Sequence, residues 1–270
     1  MSTPTPRSEL LATVERSPAA VAVHDRAAWV GVFRADGQVE DPVGSRPHVG
    51  RAAIERFYDT FIGPRDISFR RDADIVVGNT VVRDLHLDVD MGHAVRMNIP
   101  AILRYDLDRG ADGWKIVRLQ AFWELPAMIG QFARSGRGAV PAGLAMAGAL
   151  LRNQGIGGAV GFASGMRTGG GKARAHLVDV LGAAADGDEL AVRRALGEHA
   201  QITRGDQLRV GLSEFTAEMA GARVGKVIAA GGFVVAGIDR DGGNGAGRGV
   251  VIAESAPDRL GLRALRLFTE

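Results

Sequence analysis

Read from end to end, the chain passes through one order of elements twice. In the first half, helical segments between Ser8 and Phe33 lead to a short extended run, Gln38-Val39-Glu40-Asp41, then a loop, a helix beginning at Arg51, and a series of strands. In the second half, helices over His176 to Ala184 and Glu189 to Leu196 lead to Gln201-Ile202-Thr203-Arg204. Gly211-Leu212-Ser213-Glu214-Phe215 then echoes Gly50 to Phe57 in shortened form, and Ala264 to Glu270 mirrors Arg118 to Glu124. A plan recurring on this scale predicts two copies of one α+β domain, each with its own core, rather than a single large one. A length of 270 residues accommodates two domains of ordinary size. The expected divisions are 1–125 and 172–270, joined by a Gly/Ala-rich connector over 126–171.

Within the first domain, Leu10, Leu11, Val14, Val21 and Val23 suit helices, and Ser17-Pro18 must start a second helix or kink the first. Asp25 has the character of an N-cap. Trp29, Val32 and Phe33 fall at helical spacing, which predicts a helix closed by Gly37. Strands are expected over Asp72 to Val77 and Val81 to Met91 about a Gly78-Asn79 turn. Two more, Val95 to Leu107 and Trp114 to Glu124, are joined by the polar turn 108–113. Along Val81 to Met91, Arg83, Leu85, Leu87 and Val89 share one face, and Asp84, His86, Asp88 and Asp90 share the other. The acidic face carries donors of metal-binding type. No cysteine, HExxH or ligation-spaced histidine pair accompanies it, so neither a metal nor an organic cofactor is expected. In the second domain the strands are read as Lys226 to Ile238, Gly249 to Ser255 and Leu262 to Phe268.

The connector contains a short helix from Pro126 to Ala133 and another from Val140 to Leu151, then the joint Gly169-Gly170-Gly171. Its apolar run is shorter than the roughly 20 residues that span a bilayer. The expectation is a segment packed on both domains. A lid over the first domain's pocket and a surface touching membrane are the sharper alternatives. Net charge excludes other classes: 33 basic residues against 31 acidic ones give +2, with no basic stripe interleaved with aromatics, so nucleic acid is not an expected partner even at a sequence pI of 9.4. The absence of cysteine excludes disulfides and thiol catalysis. It also fits a reducing cytoplasm, as does an N-terminus without an apolar signal core. GIGGAVG and GGNGAG do not lie between a strand and a helix, so they are not dinucleotide fingerprints.

The chemistry centres on Val39 to Gly50. Pro42 keeps Asp41 extended and supplies no N–H, so the carboxylate can face an apolar cavity. Alternatively, it could accept loop N–H groups from Gly44 or Ser45 as an Asx turn. His48 is expected in exposed loop. The run Asp41-Pro42-Val43-Gly44-Ser45, followed by a glycine and the amphipathic helix Arg51 to Tyr58, resembles the ketosteroid isomerase family of the NTF2-like (SnoaL-like) superfamily. The resemblance covers about residues 8 to 125 and takes in Ala121-Phe122-Trp123. It implies a curved antiparallel sheet wrapped on helices into a cone with an apolar pocket, and it makes Asp41 the match to the family's catalytic base. The family's tyrosine donor falls on Ser17 and its protonated acid near Ala101 or Ile102, leaving Tyr58, Tyr105, Trp123 and Asn98 as hydrogen-bonding candidates. In the second domain Arg204 stands at the place of the base.

The leading expectation is therefore a hydrophobic small-molecule enzyme or binder. Asp41 would transfer a proton in a pocket lined by Trp29, Phe57, Phe61, Leu85, Leu87, Val89, Phe122 and Trp123, on a steroid-like or polyketide-like ligand. Missing donors at Ser17 and Ala101 weaken any isomerisation. Epoxide opening or cyclisation, as in tandem NTF2-like epoxide hydrolases, requires a second acid beside Asp41. A non-catalytic binding or assembly module is the third reading. An intramolecular pseudo-dimer of the two domains, or a homo-oligomer, is the expected assembly.

Overall fold

The structure is a computed structural model describing residues 6–92, 95–134, 136, 139–163, 170–196, 200–240, 247–255 and 261–269, with backbone alone at 139, 151, 154–163 and 170. The chain divides into two compact units, residues 1–74 with 79–167 and residues 168–270 with 75–78.

The first unit opens with α1 (Pro6–Ala22), whose buried Leu10, Val14, Ser17 and Val21 recur at three- and four-residue spacing and form one inward stripe. Pro18 sits inside this single helix. Asp25 caps α2 (Arg26–Gly31) by accepting from the Ala28 N–H at 2.8 Å. The chain continues as β1 (Phe33–Glu40), β2 (His48–Val49), α3 (Arg51–Phe57), a π-helical turn Tyr58–Ile62, β3 (Asp66–Val77), β4 (Thr80–Asp90), β5 (Arg96–Gly110), β6 (Gly113–Phe122), α4 (Leu125–Ala133) and α5 (Ala139–Ala163). Sheet order is β2-β1-β6-β5-β4-β3, with β1 parallel to β6 and the other pairings antiparallel as far as β5 and β4.

The second unit runs α6 (Gly170–Ala185), α7 (Glu189–Leu196), β7 (Gln201–Arg204), β8 (Leu208–Arg209), α8 (Leu212–Met219), β9 (Arg223–Ala230), β10 (Phe233–Arg240), β11 (Gly247–Ser255) and β12 (Leu262–Thr269). Its order, β8-β7-β12-β11-β10-β9, repeats the first sheet strand for strand, including a parallel β7–β12 pair at the equivalent place. Two α+β units of one topology are what the repeated sequence plan requires. Leu177, Leu181, Val192, Phe215, Leu265 and Leu267 pack a separate core under this sheet.

Three local expectations are corrected. Phe33 starts a strand, and Gly37 lies within β1 at a register shift against β6. A Cβ there would stand 2.9 Å from the Arg34 carbonyl oxygen and 3.2 Å from that of Ile116, so the glycine serves a close backbone approach and does not stop a helix. The run Lys226 to Ile238 is two strands, because Gly231, with φ +56°, reverses the chain between β9 and β10. The Val140 to Leu151 helix continues through glycine-rich residues to Ala163 as α5. Among the described residues, no helix is long and apolar enough to cross a membrane.

Candidate functional site

Alternation along β1 sends Val39 into the core and Glu40 to the other face, so Asp41 follows Val39 inward. The Asp41–Pro42 peptide is cis. The loop is held by groups other than the Asp41 carboxylate: Val43 N–H donates to the Ala121 carbonyl at 2.9 Å and Ser45 N–H to that of Pro42 at 3.0 Å. Gly44 N–H donates to Glu40 Oε1 at 2.9 Å, while Gln120 Nε2 donates to Glu40 Oε2, also at 2.9 Å. The Asx-turn alternative is thereby overturned, since both N–H groups it needs are engaged by other acceptors. Asp41 Oδ1 instead accepts from Trp123 Nε1 at 2.6 Å, just beyond the end of β6.

This carboxyl faces an apolar cavity of about 100 Å³. Burial pushes its pKa up from 3.8 to about 6, with the Trp123 hydrogen bond pulling the other way. Phe57 and Phe61 reach the cavity from α3 and the π-helical turn, Leu87 and Val89 from β4, and Trp123 from beyond β6. Trp29, Leu85 and Phe122 are fully buried but lie outside this lining. Trp29 stacks on Phe57 at 6.0 Å between ring centroids, so it supports the wall from behind.

Sequence reasoning missed Ile62, Arg65, Ile67 and Ile99, as well as Met91, Met97, Met128 and Met146. These last are four of the chain's seven methionines. Four flexible thioethers in one lining suit an adaptable pocket. Met128 and Met146 come from α4 and α5, which helical periodicity alone could not assign to a cavity. The π-helical turn is the local device that delivers Arg65: Gly63 N–H closes it on the Tyr58 carbonyl at 2.8 Å, and Arg65 N–H donates to the Ile62 carbonyl at 3.0 Å.

Neither position expected to supply an enolate-stabilising donor does so. Ser17 is buried and its Oγ accepts from Trp29 Nε1 at 3.1 Å, while Ala101 and Ile102 are buried without a side-chain donor. Tyr58, Tyr105 and Asn98 are not cavity-lining. Tyr58 keeps a buried hydroxyl without a hydrogen-bond partner among the described residues. Tyr105 is fully buried and its pKa is raised by burial, and Asn98 Nδ2 donates to Asp88 Oδ1 at 2.5 Å. Trp123 has its N–H committed to Asp41.

His48 is not an exposed loop residue. Its ring sits 5.0 Å from Phe57 and 6.5 Å from Phe61, and burial, with Arg56 and Arg46 nearby, pushes its pKa down to about 4. Asp84, on the acidic face of β4, is buried at 6% exposure. His86 Nδ1 lies 3.1 Å from Asn98 Oδ1, and among the described residues no three His, Asp or Glu side chains are grouped to hold a metal. In the second unit Arg204 donates to Glu218 at 2.7 Å and to Glu214 at 3.2 Å, an ion-pair cluster where the first unit has a carboxyl.

Residues 14–119 match the family model described as SnoaL-like domain. Steroid Delta-isomerase from Nocardioides simplex is 32% identical over 117 residues, covering 43% of this chain and 90% of that protein. Similar solved structures include delta 5-3-ketosteroid isomerase from Mycobacterium sp., at 26% identity and TM-score 0.41, covering 44% of this chain and 96% of that one. They also include an LEH-like epoxide hydrolase from M. tuberculosis, at 16% identity and TM-score 0.41, covering 47% and 91%. Through its first unit, the chain belongs to the SnoaL-like (NTF2-like) family, as a relative of the steroid Delta-isomerases.

Proposed function

We propose that the first unit moves a proton alpha to the carbonyl of a hydrophobic small molecule of steroid-like or polyketide-like class, with Asp41 as the base. The observation that carries this reading is a carboxyl facing an apolar cavity, held by one indole N–H and titrating near pH 6. At neutral pH such a group is mostly ionised and able to accept a proton. Its conjugate acid remains strong enough to return that proton to a neighbouring carbon.

The developing enolate charge is the larger part of the barrier. With no tyrosine or carboxylic acid donor at Ser17 or Ala101, stabilisation of that charge is poorer, and turnover of a simple ketosteroid is expected to be slow. Losing one oxyanion donor alone typically costs about 10²- to 10³-fold. Epoxide opening receives less support, because Asp41 is the one carboxylate among the described cavity-lining residues and that chemistry calls for two.

Asp41→Asn preserves size and the Trp123 contact but cannot take a proton. On a 5-ene-3-ketosteroid it should reduce kcat by at least about 10²-fold while leaving ligand affinity within a few-fold. A variant as active as wild type would remove Asp41 from the mechanism. Wild-type rates matching a fully equipped isomerase would refute the reading of a weakened oxyanion site.

A further inference from the structure

Arg65 is 7% exposed and lines the cavity that holds Asp41. An arginine buried to this degree is ordinarily paired with a carboxylate, because its guanidinium cannot lose its charge and loses its hydration on burial. Among the described residues no carboxylate pairs with it. Its Nη1 donates to the Thr60 carbonyl at 2.8 Å, its Nε to Met91 Sδ at 3.0 Å and its Nη2 to Met146 Sδ at 2.8 Å. Two of its three acceptors are therefore thioethers, which accept weakly and carry no charge. Burial pushes the guanidinium pKa down to about 10, with no acid acting to restore it. The other buried arginines of this unit, Arg83 and Arg104, show the usual arrangement: Arg83 forks onto Asp74 at 2.7 and 2.9 Å and reaches Glu15 at 2.8 Å, and Arg104 Nε donates to Asp106 Oδ1 at 2.9 Å.

Position matters as much as pairing. Arg65 follows the π-helical turn and meets Met91, past the end of β4, and Met146 on α5, whereas Asp41 is fixed to Trp123 beyond β6. Arg65 and Asp41 thus reach the one cavity from different elements and engage different partners, so they can hold different groups of one ligand. We propose that the ligand of this pocket is amphipathic, with an apolar body, a carbonyl end at Asp41 and a carboxylate at the far end that displaces the methionine sulfurs and pairs with Arg65. Planar guanidinium matches carboxylate in a two-point contact, and a water-poor cavity strengthens it. The inference rests on the reading of the cavity as a ligand site and narrows the class of molecule it takes.

The test compares 3-oxo-4-androstene-17-carboxylate with its methyl ester, two bodies of one shape that differ in charge at the end remote from the ring carbonyl. Affinities are measured on the full chain by calorimetry, for wild type and for Arg65→Met, which keeps length and apolar volume. Wild type should prefer the acid at least tenfold. Arg65→Met should lose that preference by weakening the acid while leaving the ester within about threefold. Arg65→Met should also melt no lower than wild type without ligand, since it removes an uncompensated buried charge; a markedly lower melting temperature would make Arg65 a structural residue and overturn the proposal. Equal affinity of wild type for acid and ester refutes the role of Arg65 and leaves the pocket reading standing. Binding of neither compound removes the pocket reading, and the proposal with it.

Discussion

A carboxyl that ionises inside an apolar cavity makes stability fall as pH rises. Asp41 is protonated in both folded and unfolded chains below about pH 3.8 and ionised in both above about 6. Between those values the unfolded chain ionises first, so the folded state loses relative stability as pH rises through this window. At roughly 1.4 kcal/mol per pH unit, the gap between 3.8 and about 6 corresponds to about 3 kcal/mol at pH 7, an upper figure because Asp41 keeps part of its surface exposed. Asp41→Asn should accordingly match wild type in urea unfolding at pH 4 and exceed its stability at pH 7. Equal stability of the two at both pH values would mean that the carboxyl is solvated. Trp123 sets the other side of this balance: Trp123→Phe removes the indole hydrogen bond to the carboxylate and should move the acid limb of kcat/KM to higher pH than about 6. An unmoved limb would show that the indole does not act on the base. Asp41 was legible in the sequence because a proline-locked motif marks it locally. Arg65 was not, since nothing in Gly63-Pro64-Arg65 separates a loop arginine in water from one turned inward by a π-helical turn.

Elements built from a single period were legible, and elements whose period crosses a boundary were not. Helix α7 and strand β7 coincide with their expected spans, and the alternation of Leu85, Leu87 and Val89 fixes the inward face of β4. Trp29, Val32 and Phe33 misled because apolar spacing continues through the end of α2 into β1, so a tertiary pairing with β6 decides where the helix stops. Gly37 is the residue that makes this pairing close. Gly37→Ala forces a methyl against two carbonyl oxygens, at 2.9 and 3.2 Å, so backbone must shift. The expected cost is about 1–3 kcal/mol in urea unfolding. Because β1 ends one residue before Asp41, the shift should also lower turnover with little change in the pH of the acid limb. A loss of less than about 0.5 kcal/mol would mean that the strand absorbs the methyl and that the glycine is not required. The four cavity methionines come from β4's end, β5, α4 and α5, a convergence that only the folded chain brings about.

At the scale of the whole molecule, one topology is used twice with opposite charge at the equivalent strand end. The first unit leaves a carboxyl facing a cavity after β1, whereas β7 ends in Arg204, tied to Glu218 and Glu214 and joined in the same cluster by Thr269, whose Oγ1 donates to Glu218 Oε1 at 2.5 Å. An arginine that keeps its proton at all ordinary pH values cannot serve as a base there. Its partners raise its pKa further, through the hydrogen bond to Glu218 first. The second unit is expected to contribute no proton transfer of its own, so Arg204→Ala should leave ketosteroid turnover and its pH profile unchanged within about twofold. It should nevertheless destabilise the protein, since Glu218, with a side chain 13% exposed, loses its closest cation. Arg204 is itself about one-third exposed, which limits the cost to about 1 kcal/mol. The discriminating measurement is turnover and thermal unfolding on the same preparation. Lower stability with intact turnover assigns Arg204 to the architecture of its own unit, whereas a fall in kcat at unchanged stability would place the second unit in the reaction and overturn the division of labour between the two copies.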